Sequence, residues 1–507
     1  MTSVNEKHQI ADDRPTDLDA EKGIAVVKEY DSSSDQEGDV IQQDYEPLTD
    51  KEYRRLRWKL DLRIVPFCGL LYLCSFLDRS NIGNAKIAGI TSHLNISDDQ
   101  FNVALSIFFV GYVIFEIPSN LMLKKVGPNI WLPLVMVSFG IVMACMAAVH
   151  NGAGLLASRF FLGITEAGLF PGVIFYLSLW YTRTEQATRI SIFFGFATVA
   201  GAFGGVLAYG IMQMEGIRGL HGWQWIFIIE ALPTLALATI TYFVLPNVPE
   251  NSKVLTERER AYVMGRLKKD AGPATETHFS MKQFWMAFTD WKIYAHSLIY
   301  IAGSIPLYSM SLFLPSIIKG MGFESLEAQA MTAPPYAIAC FFTILVAMDA
   351  DRRGERGYHI AIPSFVGCIG YILLIACKDR GPVALYIAAC ITVTGVFTHA
   401  PAMLSWFTNN IGGHTKRAVG CAIIISFGNA GGAVGGQVYR ANDSPQYIRA
   451  HSACAALMFL QVLVVLAFKF TLKHINKKRD NMTPEERRAA AEGEELCDAH
   501  PDFRYIT

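Results

Sequence analysis

Asp78 and Arg79 stand side by side in the stretch CSFLDRSNIGNAK, at the end of an apolar run that begins at Leu62. Arg159 and Glu166 lie inside another apolar run, seven residues and so two helical turns apart, which puts them on one helix face. A guanidinium presents a planar fork that matches a carboxylate. Arg79 or Arg159 can therefore hold a small organic anion once its resident carboxylate lets go, and protonation of Asp78 or Glu166 is what would release it. Glu116, Glu230 and His399 complete the short set of ionisable residues within apolar runs. Glu116 and Glu230 read as structural contacts at helix ends. His399 titrates in the useful range but reads as a packing residue between Thr398 and Ala400. Asn429, in the small-residue run SFGNAGGAVGG, can donate either to a substrate oxygen or to a neighbouring helix. Bland readings stand beside the functional ones: Asp78 and Arg79 as a solvated helix end, and Arg159 as a residue snorkelling to the membrane edge.

The elements that must position these residues follow from composition. Of 507 residues, 52% are hydrophobic and 18% charged, too little polar surface to coat soluble domains of that size. A bilayer core needs roughly 20 apolar residues in helix, and that pattern recurs twelve times: 62–82, 101–122, 130–149, 155–178, 189–212, 223–245, 293–315, 330–348, 359–377, 382–405, 418–439 and 451–472. The expected fold class is an all-α membrane protein with twelve transmembrane helices. A charge at mid-membrane costs roughly 2.5–3.5 kcal/mol even on the gentlest scale, so the few present are expected to face protein or a wet cavity. Gly163 and Gly168 beside them would let another helix approach closely.

Basic residues alternate along the loops: Lys124 and Lys125, Arg183 and Arg189, Arg352, Arg353 and Arg356, Lys416 and Arg417, with more in the 246–290 connection and after residue 472. By the positive-inside rule both termini and that connection are cytosolic. The sequons at Asn95 and Asn442 then fall outside, as glycosylation sites, and Asn481 falls inside. Residues 1–60 are polar and acidic enough to be read as a disordered tail, with Ser32, Ser33 and Ser34 open as a phosphorylation site or a solvated linker. Ten scattered cysteines without a Cys-x-x-Cys pair read as apolar fillers, with no disulfide framework and no metal. The string HLNISD (His93 to Asp98) fits a His-x4-Asp acyltransferase box only as chance allows. No zinc motif or Walker loop supports an enzyme, and no cofactor or nucleic acid is implied.

The spans divide into residues 61–245 and 291–472, nearly equal halves joined by the charged 246–290 loop and followed by a tail at 473–507. That division suggests duplication into two six-helix bundles. The halves share a local mark, a glycine just past a basic pair, in NLMLKKVGPN (Gly127) and AMDADRRGER (Gly354). These loops resemble the G-x-x-x-D-R-x-G-R signature of the major facilitator superfamily, matched in the second half by Asp351, Arg352 and Gly354. The first copy departs from it, with Lys124 where the aspartate is expected. Longer strings, LDRSNIGNAKIAGI, YVIFEIPSNLMLKKVGPNIWLP, RFFLGITEAGLFPGVIFYLSLWY and LPNVPENSKVLTERER, are similar to the fungal anion:cation symporters, the allantoate and nicotinate permeases among them. The resemblance implies the major facilitator fold and a monomeric, proton-coupled secondary transporter of the plasma membrane that takes up a small carboxylate, nicotinate first among the candidates. It also implies proton-coupling roles for Asp78 and Glu166 and substrate roles for Arg79 and Arg159, beside Asn429 from the residue reading. An exporter of an organic acid and a non-transporting sensor with the same fold stand as alternatives.

Overall fold

The computed structural model describes residues 48–271, 280–492 and 495–507. The serines at 32–34 lie outside the described residues. Twelve helices among the described residues are long and apolar enough to cross a membrane. They are α1 (Asp50–Ile87), α2 (Asp98–Leu123), α3 (Pro128–Met146), α4 (Gly152–Ser178), α5 (Thr188–Met212), α6 (Gly222–Val244), α7 (Trp291–Gly320), α8 (Ser325–Arg353), α9 (Gly357–Ala376), α10 (Pro382–Asn410), α11 (Thr415–Val438) and α12 (Ile448–Asp480). Each predicted span lies on one of them to within a few residues. Local chemistry starts several of these helices where they begin. Thr49 and Glu52 form a capping box for α1, Ser97 and Gln100 form one for α2, and Asp290 caps α7.

Within the first half α1 packs on α5 and α6, α2 on α4, and α3 on α6; within the second, α7 packs on α11 and α12, and α9 on α10 and α12. The halves meet along α2 with α11, α5 with α8, and α1 with α7. Polar side chains knit them at one end. Asn102 donates to the Tyr439 carbonyl at 3.0 Å, Ser106 to the Ala433 carbonyl at 2.7 Å, and Gln437 to the Asn102 carbonyl at 2.8 Å. At the opposite end Thr188 of α5 donates to Asp351 of α8 at 2.8 Å.

Among the described residues, parts of the segments expected to be tails and loop form regular structure. α1 begins at Asp50, inside the expected 1–60 tail, and the central connection carries helices Glu257–Ala271 and Met281–Thr289. α12 runs on to Asp480, and residues 495–507 fold back against the end of the second half. There Asp498, fully buried, receives Lys416 at 2.5 Å and Lys292 at 3.0 Å. Burial alone would raise the Asp498 carboxyl, but the two lysines hold it below its ordinary value. Trp406 and Asn410 donate to the Ile506 carbonyl at 2.7 and 2.8 Å, and the Arg356 amide donates to the Thr507 carbonyl at 2.9 Å. A polar sequence is disordered only when its groups have no better partners than water. Here the ends of α7, α9, α10 and α11 supply them.

Candidate functional site

α4 is interrupted where the carboxylate sits. Its first segment, Gly152–Glu166, ends at Glu166, and Leu169–Ser178 resumes after a turn at Ala167 and Gly168. α10 is interrupted as well, with His399 between Pro382–Thr398 and Ala400–Asn410. Both breaks keep right-handed helical dihedrals, φ -54° and ψ -27° at Ala167 and φ -74° and ψ -23° at His399, so each is a local loss of hydrogen bonding within a continuous span.

Arg79 reaches the α4 interruption from α1. Its Nη2 donates to Glu166 Oε1 at 2.5 Å, and Ser75, one turn earlier on α1, donates to the same oxygen at 2.5 Å. Arg79 Nη1 donates to the Tyr308 hydroxyl at 3.4 Å, Tyr308 donates to Asn429 Oδ1 at 3.2 Å, and Asn429 Nδ2 donates to Glu116 Oε2 at 3.2 Å. One chain of hydrogen bonds thus crosses from α4 and α1 to α7 and α11 of the other half, then returns to α2. Aromatic faces enclose it. The Arg79 guanidinium lies 5.2 Å from the Tyr112 ring centre and 5.3 Å from that of Phe108, and Arg159 lies 4.8 Å from Phe108. Such rings attract a desolvated cation by about 0.5–2 kcal/mol while keeping water out.

The ion pairs differ from those the sequence suggests. Adjacent helical residues point about 100° apart, so Arg79 faces α4 while Asp78 faces α6, where Oδ2 accepts from Thr234 at 3.3 Å. Neither Asp78 nor Arg79 is a solvated helix end, since both are buried and α1 continues to Ile87. Arg159 and Glu166 share the buried face of α4 as their spacing implies. Yet Arg159 does not snorkel and does not bond Glu166. It is fully buried, its Nε donates to the Ala104 carbonyl at 3.4 Å, and both terminal nitrogens lack a partner. Glu116 and Glu230 are not at helix ends either; both are buried in mid-helix, Glu116 against Asn429 and Glu230 against Asn81. His399 packs within the second half, Nδ1 lying 3.3 Å from the Gly395 carbonyl.

Close helix approach makes this arrangement possible. A Cβ on Gly163 of α4 would strike the Phe108 carbonyl of α2, and one on Gly432 of α11 would strike the Phe109 ring. Away from the centre, Asp351 bonds Thr188 and Arg356, Arg352 is exposed, and Gly354 ends α8 in the left-handed region at φ +61°. Asn95 and Asn442 are both exposed. Sequence reasoning missed Ser75, Phe108, Tyr112 and Tyr308. Ser75 carried a signal, its four-residue spacing from Arg79. Nothing in the sequence separates Tyr308 from the other tyrosines of the apolar runs.

Residues 68–436 match the Major Facilitator Superfamily. The chain belongs to that superfamily. Among its relatives, the "Uncharacterized transporter C1002.16c" of Schizosaccharomyces pombe is 38% identical over 85% of this chain and 86% of its own length. A protein of Agrobacterium vitis named "Putative tartrate transporter" is 37% identical over 78% of this chain and 86% of its own. The solved structure of the xylose symporter XylE from the same superfamily covers 80% of this chain and 96% of its own, with a TM-score of 0.63 at 14% identity, a likeness of fold alone. This major facilitator protein is an integral, multi-pass secondary transporter of a small solute, and the superfamily is one of transporters, not enzymes.

Proposed function

We propose that this transporter carries a small organic anion together with protons, in the manner of the fungal anion:cation symporters. The observation that supports this reading most is the buried pair of Arg79 and Glu166, with Arg159 beside it holding two unpartnered guanidinium nitrogens. An arginine fork committed to a carboxylate is closed to a substrate carboxylate, and protonating Glu166 opens it. Arg79, Arg159 and Asn429 then hold the anion, while Glu166 and Asp78 hold protons. The relative named for tartrate agrees with a carboxylate substrate, and nicotinate stays the first compound to test.

Energetics favour coupling. A monoanion entering an interior-negative cell is opposed by about 2.3 kcal/mol per 100 mV, and one accompanying proton removes that opposition. With both termini in the cytosol of a plasma-membrane monomer, the knitted end of the molecule faces outside, Asn95 and Asn442 are open to glycosylation, and the Asp351, Arg352 and Gly354 loop works at the cytosolic face. The halves at 61–245 and 291–472 rock about the Arg79 site, linked by 246–290. The deciding experiment is uptake of radiolabelled nicotinate, tartrate and other carboxylates into cells expressing the protein, at external pH 5 and 7. Uptake that rises at the lower pH and collapses with a protonophore is expected. Uptake indifferent to both would leave a facilitator.

A further inference from the structure

Asp78 does not face the arginines, and its actual surroundings form a second polar system inside the first half. On α1 the residues Asp78, Asn81 and Asn84 recur every three positions and stack along one face. On α6, Glu230 and Thr234 oppose them at four-residue spacing. Asn81 Nδ2 donates to Glu230 Oε2, and Asn84 Nδ2 donates to Asn81 Oδ1 at 3.3 Å. The Thr234 hydroxyl lies 3.3 Å from Asp78 Oδ2 and 3.2 Å from the Glu230 carbonyl, and its single proton serves one of them at a time. None of the five is more than 5% exposed. Three acceptor oxygens, Asp78 Oδ1, Glu230 Oε1 and Asn84 Oδ1, are buried without any partner.

Acceptors outnumber donors in this seam, and no cation makes up the difference. Among the described residues no Lys, Arg or His bonds to either carboxyl: Arg79 is committed to Glu166, and Lys86, further along α1, to Asp98 at 2.7 Å. The ionisable groups that act on Asp78 are Glu230 from α6 and Glu166 from α4. Cys74, one turn back on α1, completes the set. Nothing charged on α3, α5 or α7 bonds to the pair among the described residues. Carboxylates buried in a dry seam with no cation beside them cannot all stay ionised. The ladder also leads somewhere. It rises about 9 Å along α1 from Asp78 to Asn84, and the Asn84 carbonyl accepts from Gln329 of the second half at 3.4 Å, at the end where the halves are knitted together. Separation of that end breaks this contact and brings water to the ladder.

We infer that Glu230 is a further proton-holding residue of the transport cycle, acting with Asp78 as one two-carboxyl unit across the α1–α6 seam. The proton enters from water when the Asn84 end opens, adds to a carboxylate oxygen of the pair, and leaves to water when the other side opens. This proton is separate from the one that parts Glu166 from Arg79. The inference rests on the proton-coupled reading above and gives the proton assigned there to Asp78 a second holder.

A substrate-free measurement tests it, so that its failure is distinct from failure of the transport reading. Infrared difference spectra of the full-length protein in nanodiscs at neutral pH should contain a protonated-carboxyl C=O band. Glu230→Gln and Asp78→Asn should each remove or shift that band, whereas Glu166→Gln, which takes away only a nearby charge, should not abolish it. Having two variants guards against one failing to fold. No such band in the wild type, a band that survives both substitutions, or one displaced by sodium chloride but not choline chloride would overturn the assignment, the last by making the seam a sodium site. If the band behaves as expected while uptake ignores pH, the pair holds its proton but does not exchange it in the cycle, and the coupling reading falls together with the cycle role of the pair.

Discussion

On the proposed reading, replacing Glu166 by Gln separates binding from coupling at the centre of the molecule. The substitution keeps an acceptor for Ser75 and Arg79, which both reach the same Glu166 oxygen at 2.5 Å, and removes only the charge. A charge-assisted hydrogen bond contributes about 1.5–3 kcal/mol. A substrate carboxylate that must displace Glu166 from Arg79 forgoes that amount at neutral pH. In the variant it no longer does, so anion affinity at pH 7.5 should rise about 10- to 150-fold, toward the wild-type value at acidic pH, and lose its pH dependence. Concentrative uptake should fall at the same time, because the Glu166 proton no longer travels with the anion. One proton per monoanion supports about 100-fold accumulation for a two-unit pH difference, since each unit is worth about 1.36 kcal/mol, and a carboxamide carries no proton. Exchange of labelled for unlabelled anion should persist. Binding in nanodiscs across pH 5 to 8, with uptake and exchange in proteoliposomes, reads all three. Wild-type-like pH dependence of affinity in the variant would refute the reasoning, as would undiminished accumulation.

Arg159→Lys keeps the charge but loses the fork whose two terminal nitrogens are unpartnered; anion affinity should fall about 10- to 150-fold with little change in melting temperature, and an unchanged dissociation constant would remove Arg159 from the site. Gly163→Ala places a methyl against the Phe108 carbonyl and should cost about 1–3 kcal/mol, seen as a lower melting temperature of the solubilised protein. Asp351→Asn weakens the bond to Thr188 across the halves; about 1 kcal/mol there shifts the open-to-closed equilibrium about five-fold, measurable by spin-label distances between the ends of α5 and α8. Asp498→Asn leaves Lys416 and Lys292 with Asp290 alone, at 2.6 and 3.0 Å, and should cost about 3 kcal/mol, accelerating hydrogen exchange of residues 495–507. Because the Asp498 carboxyl is held below its ordinary 3.8, its contribution is complete above that pH and is lost only as pH falls further, so exchange of this segment should be flat from pH 5 to 8 once corrected for intrinsic rates.

Hydrophobic length alone placed all twelve spans, because a helix needs about 20 consecutive apolar residues to cross a bilayer, and runs of that length are far too long and too continuously apolar for barrel strands. The cost of a buried charge likewise made Asp78, Arg79, Arg159 and Glu166 legible as a group. Which of them meet was not legible. Partners along one helix are set by its 3.6-residue repeat, and that much held: Arg159 and Glu166 do share a face of α4. Partners between helices are set by packing, where a missing Cβ on Gly163 or Gly432 decides how near two backbones come. That is why Arg79 finds Glu166 across α1 and α4, Asp78 turns to Thr234, and Tyr308 and Asn429 carry the chain of bonds into the second half. The C-terminal segment makes the same point from the other side, since a polar stretch has no fold of its own until helix ends elsewhere offer Lys292, Lys416, Trp406 and Asn410 as partners. Composition determines what must be buried; only the assembled bundle determines against what.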